Sequence, residues 1–187
     1  MSPILGIWAS ARQPALNANS YESIATVTVG SGGSASISFT SIPSTYTHLQ
    51  IRAIGRSSTG EANITIAYNS DTGANYASHD LYGDGSSAAA AGGGSRTPSN
   101  TPIIAVPIST DASNIFGVGV VDILDYASTS KYKTIRSLSG FDKNGATGYI
   151  LLRSQLWMNT NAISTITLSL NNFVQYSQVA LYGIKGA

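Results

Sequence analysis

IFGVGVVDILDYASTSKYKTIRSLS, residues 115–139, is the stretch that decides the fold. Successive side chains of an extended strand alternate between two faces. Phe116, Val118, Val120, Asp122 and Leu124 therefore fall on one side of the first arm, and Val121, Ile123 and Asp125 on the other. The second arm alternates Tyr132, Thr134, Arg136 and Leu138 with Lys133, Ile135 and Ser137. Between them Tyr126-Ala127-Ser128-Thr129-Ser130 is short, small and polar, as a hairpin connection requires. Asp122 and Asp125 on one arm face Lys131, Lys133 and Arg136 on or beside the other. Opposite charges so placed contribute about 0.2–1 kcal/mol per pair and help fix the register. The stretch reads as the central hairpin of an all-β domain.

The same period recurs on both sides of it. Residues 24–29 and 34–39 alternate around Gly30-Ser31-Gly32-Gly33, giving one apolar and one hydroxyl-bearing face. Leu49, Ile51 and Ala53 share a face opposite Gln50, Arg52 and Arg56, with Ile54 out of pattern, and Ile64, Ile66 and Tyr68 form another short strand. Asn69-Ser70-Asp71-Thr72-Gly73 and Lys143-Asn144-Gly145 carry turn chemistry. Pro102 and Pro107 mark residues 103–108 as an edge strand. In residues 149–158, Ile150, Leu152, Leu156 and Met158 face one way, and Tyr149, Leu151, Arg153, Gln155 and Trp157 the other. Strands over residues 163–170 and 174–184 complete a set of eight to ten, with no helix. The expected architecture is an antiparallel two-sheet β-sandwich of jelly-roll type spanning residues 21–187, preceded by an extended N-terminal arm, residues 1–20. Residues 83–95, rich in Gly, Ala and Ser, should form a flexible surface loop within that one domain, because such a composition has little to bury against its ordering entropy.

Charged residues make up only 10% of the 187, against about 25% in an average soluble protein. Ser, Thr, Asn and Gly take their place, which suits strands and tight turns better than helices. A net charge of +1 gives no footprint for nucleic acid. A surface so near neutrality is weakly protected from self-association, so a homo-oligomer is expected. The absence of cysteine removes thiolate zinc sites and cysteine nucleophiles and leaves the compartment open. The apolar run at residues 4–11 is too short to span a bilayer and has no basic residue before it, so neither a membrane segment nor a signal peptide is expected, and synthesis in a cytoplasm without processing is. Ile4, Leu5, Ile7 and Trp8 lie outside any period; they either fold back over a sandwich edge or dock on a neighbouring subunit or host surface.

No constellation for chemistry emerges. His79-Asp80 beside Ser78 lacks a nucleophile elbow. Asp71, Asp80, Asp84, Asp122 and Asp125 lack calcium-loop spacing. No glycine run has phosphate-loop form, and a glycan hydrolase would need two positioned carboxylates. No enzyme activity, cofactor or metal is expected. Tyr149 and Trp157, on one face of one strand, are a candidate aromatic platform for sugar, the alternative being burial in a contact or under a loop.

Several runs together carry a family resemblance: SYESIATVTVGSGG (20–33), FTSIPSTYTHLQIR (39–52), IFGVGVVDILDYASTSKYKTIRSLSG (115–140), LWMNTNAISTITL (156–168) and YSQVALYGIKG (176–186). They resemble β-rich virion proteins of tailed bacteriophages, especially environmental and cyanobacterial phages, and the arm before them is similar too. The resemblance implies a non-enzymatic particle component on the outer surface of a virion, without saying which. The first reading is a capsid decoration (cement) protein, trimeric, bound to the major capsid protein or other virion proteins, with Ile4, Leu5, Ile7 and Trp8 as arm contacts. The alternative is a tail fibre or tail-tip protein that binds host glycan through Tyr149 and Trp157.

Overall fold

Alternating apolar and polar residues build twelve strands among the described residues, which are 20–60, 62–145 and 148–186 of a computed structural model. In chain order they are β1 (Tyr21–Thr28), β2 (Ser34–Phe39), β3 (His48–Gly55), β4 (Asn63–Tyr68), β5 (Tyr76–Gly83), β6 (Ala88–Arg96), β7 (Pro102–Ala105), β8 (Gly117–Ile123), β9 (Lys133–Asp142), β10 (Gly148–Trp157), β11 (Ile166–Phe173) and β12 (Gln178–Ile184). A single 3₁₀ turn, Pro98–Asn100, precedes β7. The arm residues Ile4, Leu5, Ile7 and Trp8 lie outside the described residues.

Two antiparallel sheets pack together, as the alternation requires, but they are unequal. The larger has the order β1-β12-β3-β8-β9-β10-β5-β6 and the smaller β2-β11-β4-β7. That strand order does not establish the paired four-stranded sheets of a jelly roll. The 115–139 hairpin supplies β8 and β9 at the centre of the large sheet, with Asp122 opposite Arg136 and Ile123 opposite Ile135. Between the sheets lies the core. Leu49, Ile51, Val121, Ile123, Ile135, Trp157 and Leu181 from the large sheet meet Ile37, Phe39, Ile64, Ile66, Tyr68, Ile166 and Leu168 from the small one.

The proline-flanked strand β7 does lie at an edge, and its open side is not left to water. Ser137 and Ser139, inward on β9, are buried; Ser137 Oγ donates to Ile103 O at 2.7 Å, and the Ala105 amide donates to Ser139 Oγ at 3.1 Å. Glycine makes the approach possible: a Cβ on Gly119 would stand 2.8 Å from Ile104 side-chain carbons. Two buried cations hold the loops. Lys133 Nζ donates to Ser128 O, Lys131 O and Thr160 O at 2.7, 3.0 and 3.1 Å, which uses all three ammonium protons. Arg56 donates to the carbonyls of Asp111, Ala112 and Ile115 at 2.6, 2.7 and 3.2 Å.

The expected loop at residues 83–95 is corrected. Ala88–Arg96 is β6, paired with β5 from Gly83 opposite Ala88 to Tyr76 opposite Arg96. Ladder hydrogen bonds order it without burial, and the turn before it is locally encoded. Asp84 accepts from the amides of Ser86 and Ser87 at 2.9 Å each and from the Ser86 hydroxyl, Gly85 takes φ +91°, and these hydrogen bonds draw the carboxyl down to about 2. At the β9–β10 turn Asn144 and Gly145 have φ of 58° and 91°, as an Asn-Gly hairpin needs. Asp84→Ala is expected to raise amide hydrogen exchange across residues 84–96 while leaving that of β8 and β9 unchanged; equal acceleration in both regions would contradict a locally encoded hairpin.

Candidate functional site

The charges of the central hairpin divide into different roles. Lys131 and Asp125 form an exposed ion pair beside His48, whose Nδ1 accepts from the Asp125 amide at 3.0 Å. The Lys131 hydrogen bond, against some desolvation, leaves the Asp125 carboxyl below its ordinary value. Asp122 faces Arg136 in register but accepts from Gln50 Nε2 at 2.8 Å, and Arg136 has no ion-pair partner among the described residues. Lys133 corrects the expectation of a cross-strand pair: it points into the molecule, where carbonyls rather than carboxylates take its protons, and desolvation lowers its pKa.

The aromatic platform is also corrected. Tyr149 and Trp157 share the inward face of β10, and Trp157 is wholly buried. Its indole N–H donates to Asp71 Oδ2 at 2.8 Å, and its ring packs on Tyr68 with centroids 5.5 Å apart. Desolvation raises the Asp71 pKa, yet hydrogen bonds from Trp157, Asn75 and the Gly73 amide outweigh it and hold the carboxyl below its ordinary value. Tyr149 is only half-buried, stacked between Tyr82 (5.6 Å) and Phe141 (6.2 Å), with Lys143 Nζ 5.4 Å from the Phe141 centroid. His79 and Asp80 point to opposite faces of β5. His79 is exposed, whereas Asp80 pairs with the buried Arg153 by two hydrogen bonds. Among the described residues no three His, Asp or Glu side chains converge as metal ligands.

The outward face of the large sheet is the outstanding surface. The register aligns its side chains into rows that cross the strands. Arg52, Val120, Leu138, Leu152, Leu81 and Ala90 follow one another from β3 to β6, and the next row is Ile54, Val118, Gly140, Ile150, Gly83 and Ala88. Val118, Leu138, Ile150 and Leu81 are 56, 54, 60 and 56% exposed. Gly140, lacking a side chain between Val118 and Ile150, leaves a shallow apolar hollow of about 610 Å³. A third row, Gln50, Asp122, Arg136, Ser154 and His79, is polar and borders the apolar pair. At the β1 end, Arg52 lies over the stacked rings of Tyr21 and Tyr182.

The outer face of the small sheet is the opposite. Ser36, Ser169 and Thr65 form one row there and Ser38, Thr167 and Ala67 another, with Ser38 and Thr167 hydroxyls 2.9 Å apart. Apolar groups gathered on one exposed face mark an interaction surface, where the same groups scattered would not. The sequence held two signals for this surface: the outward face of β10 carries Ile150, Leu152 and Leu156, and Ile54 breaks the pattern of β3. Compared with family models, curated proteins and solved structures, the chain matches none of them.

Two measurements check the inward assignment. Trp157→Ala should cost about 3–5 kcal/mol in urea unfolding, as for a fully buried aromatic ring; a change within 0.5 kcal/mol would put the ring at the surface. Because the folded-state pKa of Asp71 is depressed, its contribution is complete above the unfolded value near 4 and is lost as pH falls below it. The drop in melting temperature between pH 6 and pH 3 should therefore be smaller in Asp71→Asn than in the native chain.

Proposed function

We propose that this chain is a non-enzymatic structural protein of a bacteriophage virion, a capsid decoration protein that stabilises the assembled shell and works as a homo-oligomer, with three copies as the favoured number. The observation that carries the reading is the contrast between the two outer faces of the sandwich: contiguous apolar rows on one, uncharged hydroxyl rows on the other. Such surfaces suit adhesion to other proteins rather than turnover of a substrate. The resemblance of five sequence runs to phage virion proteins supplies the particle. The mechanism is mass action: a protein that binds the assembled lattice and not its free subunits lowers the free energy of the lattice, and several linked contacts add their avidity.

The recognition reading, a tail protein that binds host glycan, no longer has Trp157 as an exposed ring. It retains one supporting observation, the partly exposed row of Tyr82, Tyr149 and Phe141. Copy number in purified particles separates the two. Hundreds of copies per particle, and shells whose dissociation temperature rises on adding the protein, are expected for a decoration protein. A few to tens of copies, with glycan-array binding abolished by Tyr149→Ala, would move it to the tail.

A further inference from the structure

The apolar rows on the large sheet need an occupant, and their chemistry points to one. We infer that a neighbouring copy of this chain covers them, packed sheet face to sheet face about a rotation axis that runs parallel to the strands above the seam between β8 and β9. The inference names the contact that the assembly reading above requires, and rests on that reading for its purpose but not for its geometry.

Three observations support this occupant. The first is size. Six strands by three rows, polar border included, span about 29 Å by 20 Å, a footprint of about 580 Å², at the small end of specific interfaces. Its anatomy also fits, with an apolar centre and a polar margin. The second is charge. A rotation about the stated axis lays β8 of one copy against β9 of the next at the same height. Asp122 and Arg136 share a row, so Asp122 of each copy meets Arg136 of its neighbour. Arg136 has no ion-pair partner within its own chain among the described residues, and is free to make that contact. The face is thus complementary to itself, as a closed symmetric contact demands. The third is shape. The same rotation lays Val118 over the hollow at Gly140 and Val120 against Leu138, filling the apolar depression with an apolar side chain. A pair covers the whole face in this way, whereas in a ring of three only the strands beside the axis make the contact.

The test uses the whole chain and light scattering after size exclusion across a range of concentrations. The native chain should be a multimer at micromolar concentration. Asp122→Arg places Arg against Arg across the seam, and Arg136→Asp places Asp against Asp. Each should weaken association about tenfold or more. The double variant, Asp122→Arg with Arg136→Asp, restores opposite charges within the ladder and across the seam and should return association close to the native value; urea midpoints of the single variants that stay native while association falls separate the lost contact from damage to the fold. A native chain that is a monomer at tens of micromolar, single variants that associate as the native chain does, or a double variant no better than the singles would each overturn the inference. A monomer that binds phosphatidylcholine vesicles, or that binds virion shells through Leu138, would assign the face to lipid or to a different protein and overturn it as well. Multimers that bind no particle would sink the decoration reading and leave this one standing; a monomer that stabilises shells would do the reverse.

Discussion

Two serine hydroxyls decide how the sandwich closes. An edge strand carries a row of unpaired amides and carbonyls, and burying one without a partner costs about twice what a hydrogen bond contributes net. Here Ser137 and Ser139 reach from β9 to the open side of β7, and the small sheet ends there after four strands. The large sheet continues past it through β10, β5 and β6. Beside the buried Trp157, Leu151 and Tyr76, the inward groups on that extension are the Arg153–Asp80 pair and the rings of Tyr149 and Tyr82, with Phe141 of β9 stacked against Tyr149. One Arg153 nitrogen and the Ser78 hydroxyl are buried there without a partner among the described residues. The unequal sheets, and the polar filling between their ends, follow from where β7 is satisfied.

Period two was legible in every strand but β6, while on β9 and β10 the side that faces inward was not. On β9 one face offers Lys133, Ile135, Ser137 and Ser139 and the other Thr134, Arg136 and Leu138. Hydrophobicity alone does not rank them, because the polar members of the first face are satisfied by backbone groups brought from far away in sequence. Lys133 illustrates this: Thr160 O, one of its three acceptors, is 27 residues away. On β10 the outward face carries Ile150, Leu152 and Leu156 while the inward one carries Arg153 and Gln155 beside Tyr149, Leu151 and Trp157, so apolar count does not tell the core face from the exposed one. The edge position of β7 and the Asn-Gly turn were readable because proline and positive φ act locally. β6 was not, since Ala and Gly carry no β propensity and the strand exists through its ladder with β5.

The outer faces describe a molecule whose exterior is divided by hydrophobicity more than by charge. Serine and threonine cover the small sheet without the long charged side chains that usually keep proteins apart, while valine, leucine and isoleucine stand exposed on the large one. Held apart in water, such a face is unfavourable in proportion to its apolar area. A single polar row, with Asp122 and Arg136 side by side, borders it. In the proposed contact, charge there sets which alignment is acceptable, and the aliphatic rows supply the adhesion.

Lys133 has a mechanical side. Its ammonium grips the tip of the central hairpin through Ser128 and Lys131, and the segment leading into β11 through Thr160. A pull applied at the tip is therefore carried by backbone carbonyls into the body of the sandwich, so the hairpin resists peeling as a braced beam does, and strain arriving from outside spreads over both sheets instead of bending one loop.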